Sequence, residues 1–168
     1  DDVHLLWSKG TLLISHDRIT DHVINRLRPP SDGDILVPGG TVSVLGTTSV
    51  RTETIDNVRP TIEEVNENIR EGIAMVPALA HTRFIRAFSR VRPLVQSGNL
   101  TDDRSVARSF SLFNHEENTD NFCTITGGKL TTYRLMAEKT ADLVAARLGN
   151  TEECTTHTTP LPGSGSSK

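Results

Sequence analysis

The chain has 168 residues, a net charge of −3, and only 35% hydrophobic and 4% aromatic residues. The negative net charge argues against a nucleic-acid partner. The hydrophobic content is low for a chain that forms its own complete core. No apolar run approaches the ~20 residues of a membrane span, and no signal peptide opens the sequence. Cys123 and Cys154 lack metal-site spacing, so we expect a reducing, cytoplasmic chain with a buried Cys123. The start at Asp1 suggests a piece excised from a longer protein.

The sequence of residues 10–50 predicts short strands joined by turns. Residues 11–14 are β-prone, whereas residues 22–27 fit either a strand or a helix before Pro29 and Pro30. The pairs Asp32-Gly33 and Gly39-Gly40 bracket residues 34–38 and are typical of hairpins. They lead into the alternating residues 41–45, so an antiparallel meander with one buried face is expected.

Residues 61–76 give the clearest helix signal in the chain. Thr61 with Glu64 forms a capping-box pattern, an apolar stripe follows with helical spacing, and Pro77 ends it. We expect this helix to be scaffold and its acidic residues to form a solvated face.

Residues 84–94 predict a long strand. Its alternation places three arginines, Arg86, Arg90 and Arg92, on one face with Phe84 and Phe88. A polar loop over residues 98–103 and a second alternating strand over residues 109–113 follow.

The last predicted unit is a strand at residues 122–125, a glycine pair, and a helix over residues 130–148 that ends at Gly149. A glycine pair before a helix N-terminus brings amide groups, a positive dipole end and Lys129 to one point, which suits an anionic ligand. The spacing is not that of a P-loop, and G-x-G-x-x-G is absent from the chain, so a plain tight turn stays open on the pattern alone. Residues 151–168 are typical of a linker.

The sequences of four segments resemble those of the FAD-dependent glycerol-3-phosphate dehydrogenases, in particular the anaerobic, membrane-associated branch of that family. The matching motifs are Thr126-Gly127-Gly128-Lys129-Leu130-Thr131-Thr132, Val91-Arg92-Pro93-Leu94, the hairpin over residues 34–49, and residues 9–14. They occur in the family's order and cover residues 9 to about 163.

This resemblance implies an α+β fragment. Residues 1–90 would be part of an antiparallel substrate-binding domain with a helix. Residues 91–150 would be the C-terminal strand, loop and helix of an FAD-binding α/β domain, followed by a linker or tail over residues 151–168. The family's G-x-G-x-x-G loop is missing, so the fragment alone is expected to be inactive and to bind FAD weakly or not at all.

The resemblance also assigns site residues. Lys129 and Arg92 are the expected catalytic residues, and Arg92 and Arg108 the expected ligands of the substrate phosphate. The expected FAD-binding residues are Gly127, Gly128, Lys129, Leu130, Thr131 and Thr132. A solvent-facing lysine and structural salt bridges are the alternatives for these cations.

Two positions depart from the family. Arg90 stands where many relatives carry a small residue, and we expect it at the rim of the anion site. Leu12 stands where aerobic-type relatives carry a histidine, so the catalytic base is not identified. Thr47, Thr48 and Ser49 end a strand, where capping a turn is favoured over facing the substrate.

The resemblance implies sn-glycerol 3-phosphate as the substrate and partner subunits that carry electrons to a membrane quinone. It implies a location at the cytoplasmic face of the membrane. No nucleic-acid partner is expected. Another flavin oxidoreductase of the amino-acid oxidase type remains an alternative. So does a non-catalytic module that docks other proteins of the complex. An apolar face left bare favours self-association of the fragment.

Overall fold

The structure, a computed structural model, describes residues 3–95, 110–117 and 119–164. The chain divides into two compact units, which are described separately. The sheet unit comprises residues 4–107, and the hairpin–helix unit comprises residues 1–3 and 108–168.

The sheet unit contains six antiparallel strands. Their order is β2-β3-β4-β1-β5, and β6 pairs with β1 on its other side. The strands are β1 (Leu5–Ser15), β2 (Ile24–Asn25), β3 (Ile35–Gly39), β4 (Val42–Gly46), β5 (Val50–Arg51) and β6 (Phe84–Val95). The ambiguous residues 22–27 therefore supply a two-residue strand, and the predicted antiparallel meander is confirmed.

Strand β1 is the centre of this sheet because it pairs with three others. β6 follows it in register from Leu5↔Val95 to Ile14↔Arg86. This pairing places Ser8, Gly10 and Leu12 on the same face as Arg92, Arg90 and Phe88. The opposite face carries Lys9, Thr11 and Leu13 and turns toward the helix, with which Lys9 and Thr11 form hydrogen bonds or ion pairs.

Helix α1 (Ile62–Met75) lies against that face. Thr61 and Glu64 form the predicted capping box, and a short 3-10 helix, Pro77–His81, follows. The apolar core is small: Leu13, Leu36, Leu45 and Leu79 are fully buried, with Val65, Ile69 and Ile73 of α1 packed beside them.

The expectation of a solvated acidic face on α1 is wrong for two of its residues. Glu64 and Glu71 are buried, together with Asn68 and Gly72, whereas Ile62 at the start of the apolar stripe is exposed. The charges are tolerated because each carboxylate is paired: Glu64 with Lys9, and Glu71 with Arg26 and Arg28.

The hairpin–helix unit contains β7 (Phe110–Asn114), which pairs antiparallel with β8 (Cys123–Gly127), and helix α2 (Tyr133–Arg147). A 3-10 turn, Leu130–Thr132, leads into α2, and Gly149 ends it with a positive φ of 74°. Arg147 bonds the carboxylate of Glu116 and the amide oxygen of Asn114, which holds the end of α2 against the hairpin. No residue described in this unit is buried, and Cys123 is half-buried, contrary to expectation.

These antiparallel sheets with two long helices confirm the α+β fold class. The predicted domain boundary at residues 90 and 91 stays a prediction, although β6 continues in one sheet to Val95. Over the three described ranges, no helix has the length and apolar character needed to cross a lipid bilayer.

Candidate functional site

The first group of predicted site residues lies on the sheet face that carries Arg92. Its guanidinium lies directly over Gly10 of β1: a Cβ built on Gly10 would come within 2.1 Å of Arg92 Nη2. Any larger residue at position 10 would therefore displace this side chain. The sequence pair Lys9-Gly10 thus has a physical role, since glycine leaves the space that the arginine occupies.

The segment that follows β4 supplies hydrogen-bond acceptors to this guanidinium. Arg92 Nη2 donates to Thr47 Oγ1 at 3.0 Å, and Nη1 lies 3.4 Å from the Thr48 carbonyl oxygen. Ser49 Oγ and Ser8 Oγ form a neighbouring hydroxyl pair at 2.9 Å. Arg92 is half-buried, and its guanidinium lies against one threonine hydroxyl and one carbonyl oxygen. The planar fork of a guanidinium is suited to a phosphate group.

The other two arginines on this face have different surroundings. Arg90 is exposed and donates to the adjacent Ser89 carbonyl, and Arg86 lies over the ring of Phe88 at 6.0 Å. Leu12, which stands where the resemblance gives aerobic-type relatives a histidine, lies on the same face with its side chain against Gly46. Arg108, the second predicted phosphate ligand, falls outside the described residues.

A buried polar cluster on the opposite face was missed from the sequence. Glu64 of α1 accepts hydrogen bonds from Lys9, Thr11, Thr48 and the Thr61 amide, at 2.7 to 3.1 Å. Burial raises the pKa of the Glu64 carboxyl, but the hydrogen bonds from Lys9, Thr61 and Thr11 lower that pKa by more, so it lies below the ordinary 4.5. Glu64 is therefore ionised at neutral pH.

The second group is the glycine loop of the hairpin–helix unit. Gly127 and Gly128 have positive φ angles of 83° and 77°, and Lys129 and Leu130 after them are exposed. Thr132 closes the turn, since its amide donates to the Lys129 carbonyl and its hydroxyl accepts from the Lys129 amide. The amides of Leu130 and Thr131 stand at the start of the helix, where intrahelical acceptors are lacking. These backbone amides and the ammonium group of Lys129 together form a set of hydrogen-bond donors that fits the edge of an anionic ring.

Gly128 is required for steric reasons as well as for its φ angle. A Cβ there would lie 2.7 Å from Met136 Sδ and 2.9 Å from Thr132 Oγ1. We expect Gly128→Ala to destabilise the full-length protein by about 2 kcal/mol, because backbone strain and the clash act together, and to weaken its FAD binding. Thermal melting and FAD titration measure both effects.

Gly149→Ala is the matched control. Gly149 also has a positive φ, of 74°, but a Cβ there would meet nothing within 4 Å. It should cost about 1 kcal/mol from strain alone and leave FAD affinity unchanged. Equal effects of the two substitutions on FAD affinity would contradict the role of the loop.

The chain is similar in sequence to several known proteins. No family model matches the chain. It is 52% identical over 166 residues to one subunit of the anaerobic glycerol-3-phosphate dehydrogenase of Escherichia coli, and this match covers 96% of the chain and 31% of that protein. The protein of the same name from Haemophilus influenzae is 51% identical, over 99% of the chain and 30% of its own length. The chain thus spans about a third of the length of these curated relatives.

Two solved structures share the fold. The glycerol-3-phosphate dehydrogenase of Bacillus halodurans, complexed with FAD, aligns over 91% of the chain and 29% of its own, with a TM-score of 0.62 and 28% identity. A glycine oxidase of Bacillus cereus aligns over 93% of the chain and 39% of its own, with a TM-score of 0.56 and 15% identity, and shows the fold alone.

Fold and relatives together place the chain in the class of FAD-dependent oxidoreductases. Within that class, it belongs to the glycerol-3-phosphate dehydrogenase family and corresponds to part of the matched polypeptide of the anaerobic enzyme.

Proposed function

We propose that this chain is the part of an FAD-dependent glycerol-3-phosphate dehydrogenase that holds the substrate phosphate and contacts the flavin. The whole protein would oxidise sn-glycerol 3-phosphate to dihydroxyacetone phosphate. The observation that carries this proposal is the Arg92 guanidinium, seated over Gly10 and held by Thr47 and Thr48. It lies in a chain half identical to a polypeptide of the anaerobic glycerol-3-phosphate dehydrogenase.

Arg92 would bind the phosphate by its planar fork of N–H donors. Thr47 fixes the guanidinium from the side, so that the plane of the fork is set before the ligand arrives. Arg108 is proposed as a second phosphate ligand, because a dianion calls for more than one cation. Its position rests on the sequence resemblance, as does the predicted division into substrate-binding and FAD-binding domains.

FAD, when bound, supplies the acceptor for the hydride that leaves the secondary alcohol carbon. Gly127 and Gly128 let a ring edge approach the backbone, and the amides of Leu130, Thr131 and Thr132 belong to the loop that would line it. Lys129 would place a positive charge where negative charge collects on reduction, which favours the reaction electrostatically. Leu12 is apolar and has no proton acceptor, so the hydroxyl proton must go to a group other than the residue at this position.

We also propose an electron acceptor and a location for the whole protein, and both rest on the family resemblance. The relatives are named as one of several subunits, so we propose further subunits that pass electrons toward a membrane quinone. The protein would then act at the cytoplasmic face of the membrane. A docking module without catalysis is the alternative, and it predicts partner binding with no flavin reduction.

A second candidate is an amino-acid oxidase type of reaction, because the chain shares its fold with a glycine oxidase, although that likeness does not extend to function. Steady-state assays of the full-length protein with glycerol 3-phosphate and with glycine separate the two, using inorganic phosphate and acetate as competing anions. Turnover of glycerol 3-phosphate with competition by phosphate supports the proposal. Turnover of glycine with competition by acetate would replace it.

The isolated 168-residue chain is expected to bind FAD weakly or not at all and to show no dehydrogenase activity. It has no G-x-G-x-x-G loop to hold the pyrophosphate, and none of the described residues around the glycine loop is buried. A fluorescence titration with FAD measures this directly. Tight binding of one FAD per chain would show that the loop residues suffice.

A further inference from the structure

Thr48 contacts Arg92 through its backbone and α1 through its side chain. Its carbonyl oxygen faces Arg92 Nη1 on one side of the sheet. Its hydroxyl, fully buried on the other side, accepts from the Thr11 amide at 3.0 Å and donates to Glu64 Oε1 at 3.1 Å. The orientation of this peptide is therefore linked to a carboxylate on α1.

The Glu64 carboxylate is held in place by several hydrogen bonds besides the one from Thr48. Lys9 Nζ bonds Oε2 at 2.7 Å, and the Thr61 amide donates to the same oxygen at 2.9 Å. Thr11 also donates to Oε1, and Asn68, one turn along α1, donates to the Thr11 carbonyl at 2.9 Å. The orientation of the carboxylate is thus fixed by several donors that are independent of Thr48.

We propose that Glu64 and Thr48 are positioning residues for the phosphate-binding arginine. Glu64 holds the Thr48 hydroxyl, which sets the Thr47–Thr48 backbone, and this segment in turn fixes the Arg92 guanidinium over Gly10. This inference rests on the proposed role of Arg92 in binding the substrate phosphate. Neither residue touches the reacting atoms, so loss of either should weaken substrate binding and leave the chemical step nearly intact.

The decisive variant is Thr48→Val in the full-length protein with FAD bound. Valine has nearly the shape of threonine but cannot donate to Glu64 or accept from the Thr11 amide. The variant should raise the half-saturating concentration of glycerol 3-phosphate for flavin reduction about 10-fold. The limiting reduction rate should stay within about 2-fold of wild type, and Thr48→Ser, which keeps the hydroxyl, should restore most of the binding.

A double-mutant cycle with Arg92 separates positioning from a general structural role. If Thr48 acts through Arg92, adding Thr48→Val to Arg92→Lys should change half-saturation less than about 2-fold. Arg92→Lys keeps the charge and loses the planar fork, so it leaves binding measurable. Independent, multiplied effects in the double variant would overturn the proposal.

Glu64→Gln should follow Thr48→Val, with a several-fold rise in half-saturation. Glu71→Gln is its matched control, because Glu71 is buried on the same helix but pairs with Arg26 and Arg28 instead. Both substitutions remove a buried carboxylate, so both should lower the melting temperature, but only Glu64→Gln should weaken substrate binding. Equal effects of the two on half-saturation would reduce Glu64 to a structural role and overturn the inference.

Failure of the inference and failure of the proposed function give different results. If glycerol 3-phosphate does not reduce the wild-type flavin, the proposed function fails and the inference fails with it. If wild type is reduced and Arg92→Lys weakens binding while Thr48→Val does not, the function stands and only the inference is overturned.

Discussion

Arg92→Ala in the full-length protein is expected to raise the half-saturating concentration of glycerol 3-phosphate about 100-fold, equal to about 3 kcal/mol. The cause is the loss of a charged, forked donor that binds the phosphate in a half-buried site. Concentration dependence of flavin reduction, followed under anaerobic conditions, measures this. The limiting rate should change far less than half-saturation, since the phosphate lies away from the carbon that loses hydride.

Arg90→Ala is the matched control for this effect. Arg90 lies on the same strand face two residues away, but it is exposed, and within the described part of the chain its guanidinium bonds its neighbour's carbonyl. Its removal should alter half-saturation less than about 3-fold. If both substitutions weaken binding equally, the face attracts anions diffusely and Arg92 is not the specific ligand.

Lys129→Met in the full-length protein is expected to slow flavin reduction about 100-fold, because a positive charge at the site of developing negative charge is lost. It should also weaken the binding of sulfite, which adds to flavin N5 and leaves the ring anionic. Stopped-flow reduction and a sulfite titration measure the two effects. Lys129→Arg should recover part of both.

Lys139→Met controls for a general loss of charge. Lys139 is an exposed lysine on α2 that forms ion pairs with Glu138 and Asp142. Its substitution should leave the reduction rate and sulfite binding unchanged. A Lys129→Met protein with wild-type sulfite binding would show that Lys129 is solvent-facing and takes no part at the flavin.

The strands and α1 could be predicted because local signals and tertiary packing agree. The alternation around β1 and β6, the capping box of Thr61 and Glu64, and Pro77 each act through neighbours in sequence. The face of the three arginines follows from period two alone. The glycine loop is similar: positive φ angles at Gly127 and Gly128 are what a tight turn before a helix demands.

The buried polar cluster could not be predicted in the same way. Glu64 was assigned its capping role correctly, but its second oxygen meets Thr11 and Thr48, which lie 53 and 16 residues away in sequence. Glu64 and Glu71 are charged and lie outside the predicted apolar stripe, so helical periodicity assigns them to the solvated face. Pairing with cations that are distant in sequence, among them Lys9 for Glu64 and Arg26 and Arg28 for Glu71, compensates for the burial of these carboxylates.

The contact between Arg92 and Thr47 was missed for the same reason. Thr47 follows a strand end, where a hydroxyl ordinarily caps a turn, and nothing local marks it as a partner of a residue 45 positions later. A signal was present in Gly10, since a glycine in the middle of a long strand indicates a close approach of another group. Register then identifies that group, because Gly10 pairs with Arg90 and so lies diagonally next to Arg92.

The most direct test of the account mixes the full-length protein anaerobically with glycerol 3-phosphate and follows the visible absorbance of the flavin. The account predicts rapid bleaching in wild type and, in Arg92→Ala, bleaching that needs about 100-fold more substrate. Bound flavin that stays oxidised at saturating glycerol 3-phosphate, and bleaches instead with an amino acid, would contradict it.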